Sequence, residues 1–479
     1  MDADASGIDP ALMARDVASF VIDSREIQAG DVFFALSQPE YKNNGFNGDF
    51  DDATVYVKSS FEKGAIAAVV RRDRFEEHQL QHFSDRIIFV NDSIAALQRL
   101  AHHVYLDWNR PVVAITGSAG KTTAKELTAH VLEASGRKVL KNIKNYNNGL
   151  GHPLTVLNLA KDPSYDIAVL EMGMSTPLNE IARLCKITPP DVSVVLNVLP
   201  VHVEHLGSIE NVAGAKAEIV EGMKEDGVAV LNADDSRVAA MAGLSTGRVI
   251  TYGIENRSDV YASEIAFAGF GATSFTLSTP EGSANVSFPL NGRHNILNAL
   301  AAATVGHSFG MSASAIGESL RTVAPPPQRG EILQFSKGFT VINDSYNSNP
   351  AALLSMVDTL VEGSEGAKRR IVVAGEMLEL GDDAERLHIE TGGKIAAKKI
   401  DMLIGVRGLA QQLVDGAKDA GLSNAVFAAD SDAAGDALAI EIAEGDVVLV
   451  KGSRGVRTEK VIEKLLEKFE AEKSAAVQR

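Results

Sequence analysis

In 479 residues the chain has a single cysteine, Cys185. An intramolecular disulfide and a cysteine-based zinc cluster are both excluded, and a reducing compartment is expected. Cations are also in short supply: 46 Lys and Arg stand against 63 Asp and Glu, a net charge of −17. Without a dense basic run, nucleic acid is not expected as the main partner. No apolar stretch reaches the roughly 18 residues of a membrane span. The first residues lack a basic start followed by an apolar core, so no signal peptide is expected. Short-period repeats and low-complexity tracts are missing too. These absences leave a cytosolic, acidic, globular chain long enough for about three domains.

What is present is most informative from Ala114 to Thr123, Ala-Ile-Thr-Gly-Ser-Ala-Gly-Lys-Thr-Thr. A hydrophobic strand, Pro111 to Thr116, runs into a glycine-bracketed Lys-Thr, and a helix pattern begins near Thr122. That order builds an anion pocket. Gly117, Ser118, Ala119 and Gly120 are small enough to let backbone N–H groups face a phosphate, and the helix N-terminus adds its positive end. Lys121 then neutralises β/γ-phosphates, and the Thr122 hydroxyl faces Mg²⁺, with Thr123 next in the helix. The first glycine of G-x-x-x-x-G-K-[ST] falls at Ile115, so this is a shortened G-x-x-G-K-T loop. An ordinary glycine turn is the bland alternative.

The first hundred residues read as a small α/β unit with strands at Val32 to Leu36, Ala67 to Val70 and Ile87 to Val90. Tyr41 to Phe50, rich in Asn and Gly, reads as a loop, and Ile94 to Trp108 as a helix. From Pro111, strand–helix units imply a mostly parallel sheet, with strands Val112 to Thr116, Ile167 to Glu171, Val192 to Val198 and Val228 to Asn232. Thr273 to Leu290 alternates and suggests an antiparallel excursion; His294 to Phe309 reads as an alanine-rich buried helix. Pro325 to Pro327 is a linker that neither helix nor central strand can cross. Strands at Thr340 to Asn343, Ile371 to Ala374, Met402 to Val406 and Asp446 to Val450 then give a second doubly wound sheet. The tail after Phe469 is expected to fray. The fold class is α/β in three domains, 1–108, 109–326 and 327–479: a small α/β unit, a phosphate-loop ATPase unit and a Rossmann-like unit.

Ligands of open α/β sheets sit beyond the carboxyl ends of strands. Glu171 ends such a strand and would face the phosphate loop, supplying the oxygen that Mg²⁺ prefers. Asn145 to Gly149 is an amide-rich loop suited to oxygen recognition, or simply to turning. His202, Glu204, His205 and Lys216 allow three readings: a zinc site, which Pro200 and Gly207 disfavour by breaking any helix, surface scatter, or a metal–phosphate centre. Asn295 and Asn298 share a helix face and either read adenine or serve as a cap and a polar surface residue. Asp344, Glu376 and Lys451 follow three strands of one domain, so that edge is expected to face a ligand.

Taken together, these segments resemble the Mur ligase family of ATP-dependent amide-forming enzymes. The resemblance runs in order through Thr116–Thr123, Asn145–Thr155, Leu170–Gly173, His202–Glu204, Ala215–Ile219, His294 to Asn298, Asp344–Pro350, Gly375–Gly381 and Lys451–Arg454. It implies a ligase that joins D-alanyl-D-alanine to a UDP-linked muramyl tripeptide through an acyl phosphate, in peptidoglycan precursor synthesis. It implies ATP and two Mg²⁺ ions, with Thr122, Glu171, His202 and Lys216 at the metals and Lys216 converted by CO₂ into a carbamate. Lys121, Lys216, His202 and Glu171 would be catalytic. Asn295 and Asn298 would read adenine, and Arg329 and Asp344 would contact nucleotide from the last domain. Ser24 and Arg25 would cradle the UDP end; Asn147 and Asn148, with Asn349, Glu376 and Lys451, would bind substrate, the last three the dipeptide. The family's Asp-Gly-His is absent, with Asp52-Ala53-Thr54 about where it would be, and Gln328 rather than glycine precedes Arg329. A monomer is expected.

A sibling ligase adding a single amino acid, to the muramyl peptide or to a folate, is the nearest rival; the amide-rich loop and Asp344–Pro350 favour the dipeptide enzyme. A nucleotide switch would use the same loop, but the Asn-Lys-x-Asp of guanine-specific switches is not found.

Overall fold

The computed structural model describes residues 3–46, 51–143, 145–174, 179–200 and 206–472. Its first sheet has four parallel strands in the order Phe20–Val21, Val32–Phe34, Ala67–Arg71 and Ile87–Val90. Short Val, Phe and Ala runs without alternation suit strands covered on both faces. The second strand stops at Phe34, two residues short of the expected end. The expected Tyr41–Phe50 loop is in part helix, Gln38–Asn43. Capping overrides the Asn- and Gly-rich composition here. Glu40 accepts from the backbone N–H groups of Ser37 and Ser93, each at 2.8 Å, joining two helix starts through one buried carboxylate. Residues 47–50 lie outside the described residues.

Helix Ser93–Trp108, capped by Asp92, leads into a nine-stranded sheet. Its order is Gly282–Phe288, Thr273–Thr279, Val260–Phe267, Arg248–Gly253, Val228–Asn232, Val192–Val195, Val112–Thr116, Ile167–Glu171 and Val139–Lys141. The first two pairings are antiparallel, as the alternation at Thr273–Leu290 implies, and the remaining six are parallel. The strand expected over Val192–Val198 ends at Val195, because the next residues turn toward the phosphate loop: Leu199 N–H donates to Ser118 Oγ at 2.9 Å. Helix Arg293–Ser308, rich in alanine, is buried as expected.

The third sheet has the order Glu331–Phe335, Phe339–Asp344, Asp446–Lys451, Arg369–Gly375, Met402–Val406 and Ala425–Ala428, parallel except for its first pair. The last strand in sequence inserts between two earlier ones, which creates a switch in winding direction. At that point Asp344 and Lys451 are register partners. The tail does not fray directly after Phe469. Ser336 N–H donates to Glu470 O at 3.0 Å and Glu472 N–H to Gln334 O at 2.7 Å, so residues 470–472 pair with an edge strand whose ladder groups were open.

Apolar side chains of the first sheet, helix Ser93–Trp108 and one face of the second sheet form one continuous core, whereas the third sheet has a core on each face. Among the described residues, no helix is long and apolar enough to cross a membrane.

Candidate active site

The phosphate loop connects strand Val112–Thr116 to helix Lys121–Ala134. Gly120 holds φ +84°, a left-handed turn that L side chains resist, and this swings the chain into the helix. The loop is braced by Asn197, just past strand Val192–Val195. Its Oδ1 accepts from Ala119 N at 2.9 Å and its Nδ2 donates to Ala119 O at 3.1 Å. Ser118 Oγ donates to Leu199 O at 3.1 Å. Lys121 Nζ rests on the Gly117 carbonyl at 2.8 Å. Burial pushes this ammonium below the usual lysine range; Glu171 opposes that push and Arg329 adds to it.

Glu171 lies across from the loop, as the strand-end rule anticipates. Its Oε2 accepts from the Thr122 hydroxyl at 2.9 Å and its Oε1 from Asn147 Nδ2 at 2.8 Å. Gly173 makes room for Asn147: a Cβ there would sit 2.9 Å from Asn147 Nδ2. Asn148 has a different task. Its Oδ1 accepts from Leu150 N and Gly151 N, so it caps the turn into helix Gly151–Val156. Lys216, on helix Ile209–Glu221, is 2% exposed. Burial, with the Lys121 charge nearby, pushes its amine well below the usual lysine range. His202, with Glu204 and His205, lies outside the described residues.

The third sheet closes over the loop. Arg329, just after the proline linker, donates to Thr122 Oγ1 at 3.1 Å and lies on the Tyr346 ring, 4.2 Å from its centroid. A second contact joins His294 Nδ1 and Ser355 Oγ at 3.0 Å. There Gly292 has φ +90°, and any Cβ would fall 2.4 Å from Thr359 Oγ1. Burial pushes His294 down to about 4, with Asp344 opposing and Lys451 adding. The result is a cleft of about 490 Å³ whose walls carry Lys121, Glu171, Arg329, Asp344, Asn349 and Lys451. An acidic chain thus gathers its cations where phosphate would sit.

Asn295 and Asn298 also line the cleft. Asn295 Nδ2 donates to Asn291 O at 2.8 Å, and Asn298 packs against Gly120, where a Cβ would meet its Oδ1 at 2.6 Å. Asp344 and Lys451 form an ion pair, and Lys451 Nζ also donates to Asn347 O at 2.9 Å. Asn349 caps helix Pro350–Gly363 through Ala352 N at 2.9 Å. Of the three strand-end residues of this domain, Glu376 turns away: its carboxylate accepts from Leu409 N at 3.0 Å, beyond left-handed Gly408. Ser24 and Arg25 stay in the first domain, where Lys63 holds the Ser24 carbonyl and Asp23 pairs with the exposed Arg25. Sequence reasoning missed Asn197, Tyr346 and the contact made by His294. Asn197 lies just past a strand end, but the sequence pattern puts it inside the expected Val192–Val198 strand, which hides that signal; the other two depend on packing between domains.

A phosphate loop, a carboxylate on the neighbouring strand end and an arginine reaching in from a second α/β domain define an ATP-dependent enzyme of the phosphate-loop class, with its site between two domains. Residues 115–306 match the Mur ligase middle domain and residues 328–454 the Mur ligase, glutamate ligase domain. The chain belongs to the Mur ligase family and is an ATP-dependent ligase. It is 35% identical over 449 residues to the UDP-N-acetylmuramoyl-tripeptide–D-alanyl-D-alanine ligase of Escherichia coli (strain K12), covering 93% of each chain. To the Bacillus subtilis (strain 168) ligase of the same name it is 32% identical over 447 residues, covering 93% of this chain and 92% of that one. The solved MurF ligase from Thermotoga maritima in complex with ADP superposes with a TM-score of 0.81 at 28% identity, covering 96% of this chain and 99% of that chain.

Proposed function

We propose that this chain joins D-alanyl-D-alanine to UDP-N-acetylmuramoyl-tripeptide, with ATP first converting the tripeptide carboxylate into an acyl phosphate. The observation that carries the reading is the convergence of Lys121, Thr122 and Glu171 with Arg329 from the next domain. A carboxylate does not condense with an amine at neutral pH, so phosphoryl transfer must precede amide formation. That step needs charge neutralisation and alignment more than covalent help. Lys121 exchanges the Gly117 carbonyl for the β/γ-phosphates, and Arg329 brings a second cation from the far wall. The dipeptide amine then attacks, and phosphate leaves through a tetrahedral intermediate. Water would destroy the acyl phosphate, so closure of the third sheet over the loop serves to exclude it.

The donor set fits magnesium. Thr122 Oγ1 and Glu171 offer oxygens, and among the described residues no group of three or more His, Cys, Asp or Glu forms a closed cage. Mg²⁺ commonly takes one or two protein ligands and completes its shell with phosphates and water. When bound, it would supply charge neutralisation at the transferring phosphoryl group. We assign two such ions, with His202 and Lys216 at the second. Burial, with the Lys121 charge nearby, favours the uncharged amine of Lys216 over its ammonium. That amine can attack CO₂, form an N–C bond, release a proton and become a carbamate, turning a buried cation into an oxygen ligand.

In this reading residues 1–108 hold the UDP end through Ser24 and Arg25, and residues 109–326 hold ATP through Gly117–Thr123, Asn295 and Asn298. Residues 327–479 add Arg329 and Asp344 to the nucleotide site, and Asn349 and Lys451 to the dipeptide site, while Asn147 and Asn148 shape the tripeptide side. Glu376 is tied to Leu409 and supports the dipeptide wall indirectly. The enzyme acts as a monomer in the cytoplasm. The test is phosphate release from ATP with purified substrates. Release that requires both the tripeptide and D-alanyl-D-alanine supports the reading, and release with a single amino acid in place of the dipeptide overturns it.

A further inference from the structure

The Glu171 carboxylate is held by more than its two contacts in the cleft. The ladder between strands Val139–Lys141 and Ile167–Glu171 ends at the pair Lys141 and Val169. Asn142 follows, and its side-chain amide takes the ladder's place. Its Oδ1 accepts from Glu171 N at 3.0 Å, while its Nδ2 donates to Glu171 O at 3.0 Å and to Tyr146 O at 2.9 Å. One amide thereby fixes the peptide groups on both sides of the Glu171 Cα, together with the carbonyl just before Asn147. Asn147 in turn grips Glu171 Oε1, so a single loop holds the backbone and the head of the same residue.

Lys125 ties this loop to the phosphate-loop helix. It lies three residues beyond Thr122 on helix Lys121–Ala134, and its Nζ donates to Asn142 O at 2.5 Å. Glu126 balances it at 3.0 Å and also receives Lys141 at 2.6 Å. Asn142 and Lys125 are each 2% exposed. Desolvating a lysine costs several kcal/mol, and an apolar residue would pack there without that cost. The bracket earns its place through what it aligns: Thr122 Oγ1 on one element and the Glu171 carboxylate on another.

We propose that Asn142, backed by Lys125, is a positioning pair that sets Glu171 against Thr122 for a divalent ion. The proposal rests on the metal–nucleotide half of the reading above and is independent of its peptide half. Outer-shell partners of this kind change metal affinity by about 10–100-fold when removed. The probe is Mn²⁺, titrated by electron paramagnetic resonance into the full chain with a non-hydrolysable ATP analogue and no peptide substrate. Asn142→Ala should weaken Mn²⁺ binding by about tenfold. Asn142→Asp keeps the shape and the bond from Glu171 N but loses both donors; it should show the same direction and serves if the alanine variant fails to fold. Lys125→Met should also weaken Mn²⁺ binding, and Lys125→Arg should recover part of the loss. In turnover, the Mg²⁺ requirement should rise while KM for the UDP-linked tripeptide stays put. Folded Asn142→Asp and Lys125→Met proteins that bind Mn²⁺ within twofold of the native chain would overturn the proposal. Failure of ligation with intact Mn²⁺ effects would instead refute the peptide half alone.

Discussion

Gly120→Ala and Gly136→Ala form a matched pair that separates backbone strain from contact at the nucleotide site. The two glycines flank helix Lys121–Ala134, with φ of +84° and +86°. An alanine in that left-handed region costs about 1–2 kcal/mol, so both variants should lose that much in urea unfolding. Their surroundings differ. A Cβ on Gly136 has nothing within 4 Å, whereas one on Gly120 sits 2.6 Å from Asn298 Oδ1. The amide must retreat about 0.8 Å to reach ordinary contact at 3.4 Å, and its 3.4 Å approach to Asn295 then breaks. Because Asn295 and Asn298 line the cleft, nucleotide affinity should fall at least about tenfold, near 1.4 kcal/mol, in Gly120→Ala. Gly136→Ala should stay within about twofold of the native protein, on the scale of a 1.4 kcal/mol decade. A fluorescent ATP analogue measured by anisotropy reads this directly. Equal nucleotide affinity in the two variants would refute the packing of Asn298 on the loop as a functional contact.

Three other outcomes are expected. Lys216→Ala should lose most turnover and regain part of it with added short carboxylates; undiminished activity in the unsupplemented mutant removes Lys216 from the mechanism. Burial pushes His152 down to about 3, so the folded protein keeps it neutral while the unfolded chain protonates it below about pH 6.5. Stability present above that pH should therefore fall as pH drops toward 3, by up to about 1.4 kcal/mol per pH unit, and His152→Gln should flatten the slope in urea titrations at pH 7, 6 and 5. Cys185 is buried, and its thiol is pushed up to about 12 by that burial, with Glu218 adding to it. It should resist an aromatic disulfide reagent in the native protein and react promptly in denaturant; fast native labelling would contradict the packing of this core.

Much of the nucleotide half of the site was legible because it depends on chain order. A strand followed by small residues and Lys-Thr, or a strand ending in Glu171, signals its position without reference to distant segments. Parallel strands buried on both faces, such as Ile167–Glu171 and Met402–Val406, announce themselves as apolar runs and are located correctly to the residue. Short or half-exposed edges did not: Val139–Lys141 has only two apolar residues, and Ala425–Ala428, though apolar throughout, is a short edge strand whose Val426 and Phe427 stay exposed; both become strands through their neighbours. The helix at Gln38–Asn43 shows capping winning over composition. Side-chain direction was the least legible feature. Asn147 and Asn148 are adjacent amides, yet one grips Glu171 and the other caps a turn. Glu376 shares the strand-end signal of Asp344 and Lys451, but the open Leu409 N–H beside it decides where its carboxylate goes.

The unequal sharing of apolar interior among the three sheets has a consequence for how such a chain can be recombined. On one face the first sheet borrows its packing partners from the second, so Phe34, Leu97 and Trp108 belong to the same interior as Val112 and Leu170, while its other face has a core of its own around Phe33 and Phe61. Cutting between them would leave two raw surfaces, and a foreign first domain would have to match side chain for side chain. The last sheet brings its own interior on both faces, touched from outside by Phe270. The natural place to graft, swap or tether in this molecule is therefore the proline linker, beyond which the third sheet carries its own interior on both faces.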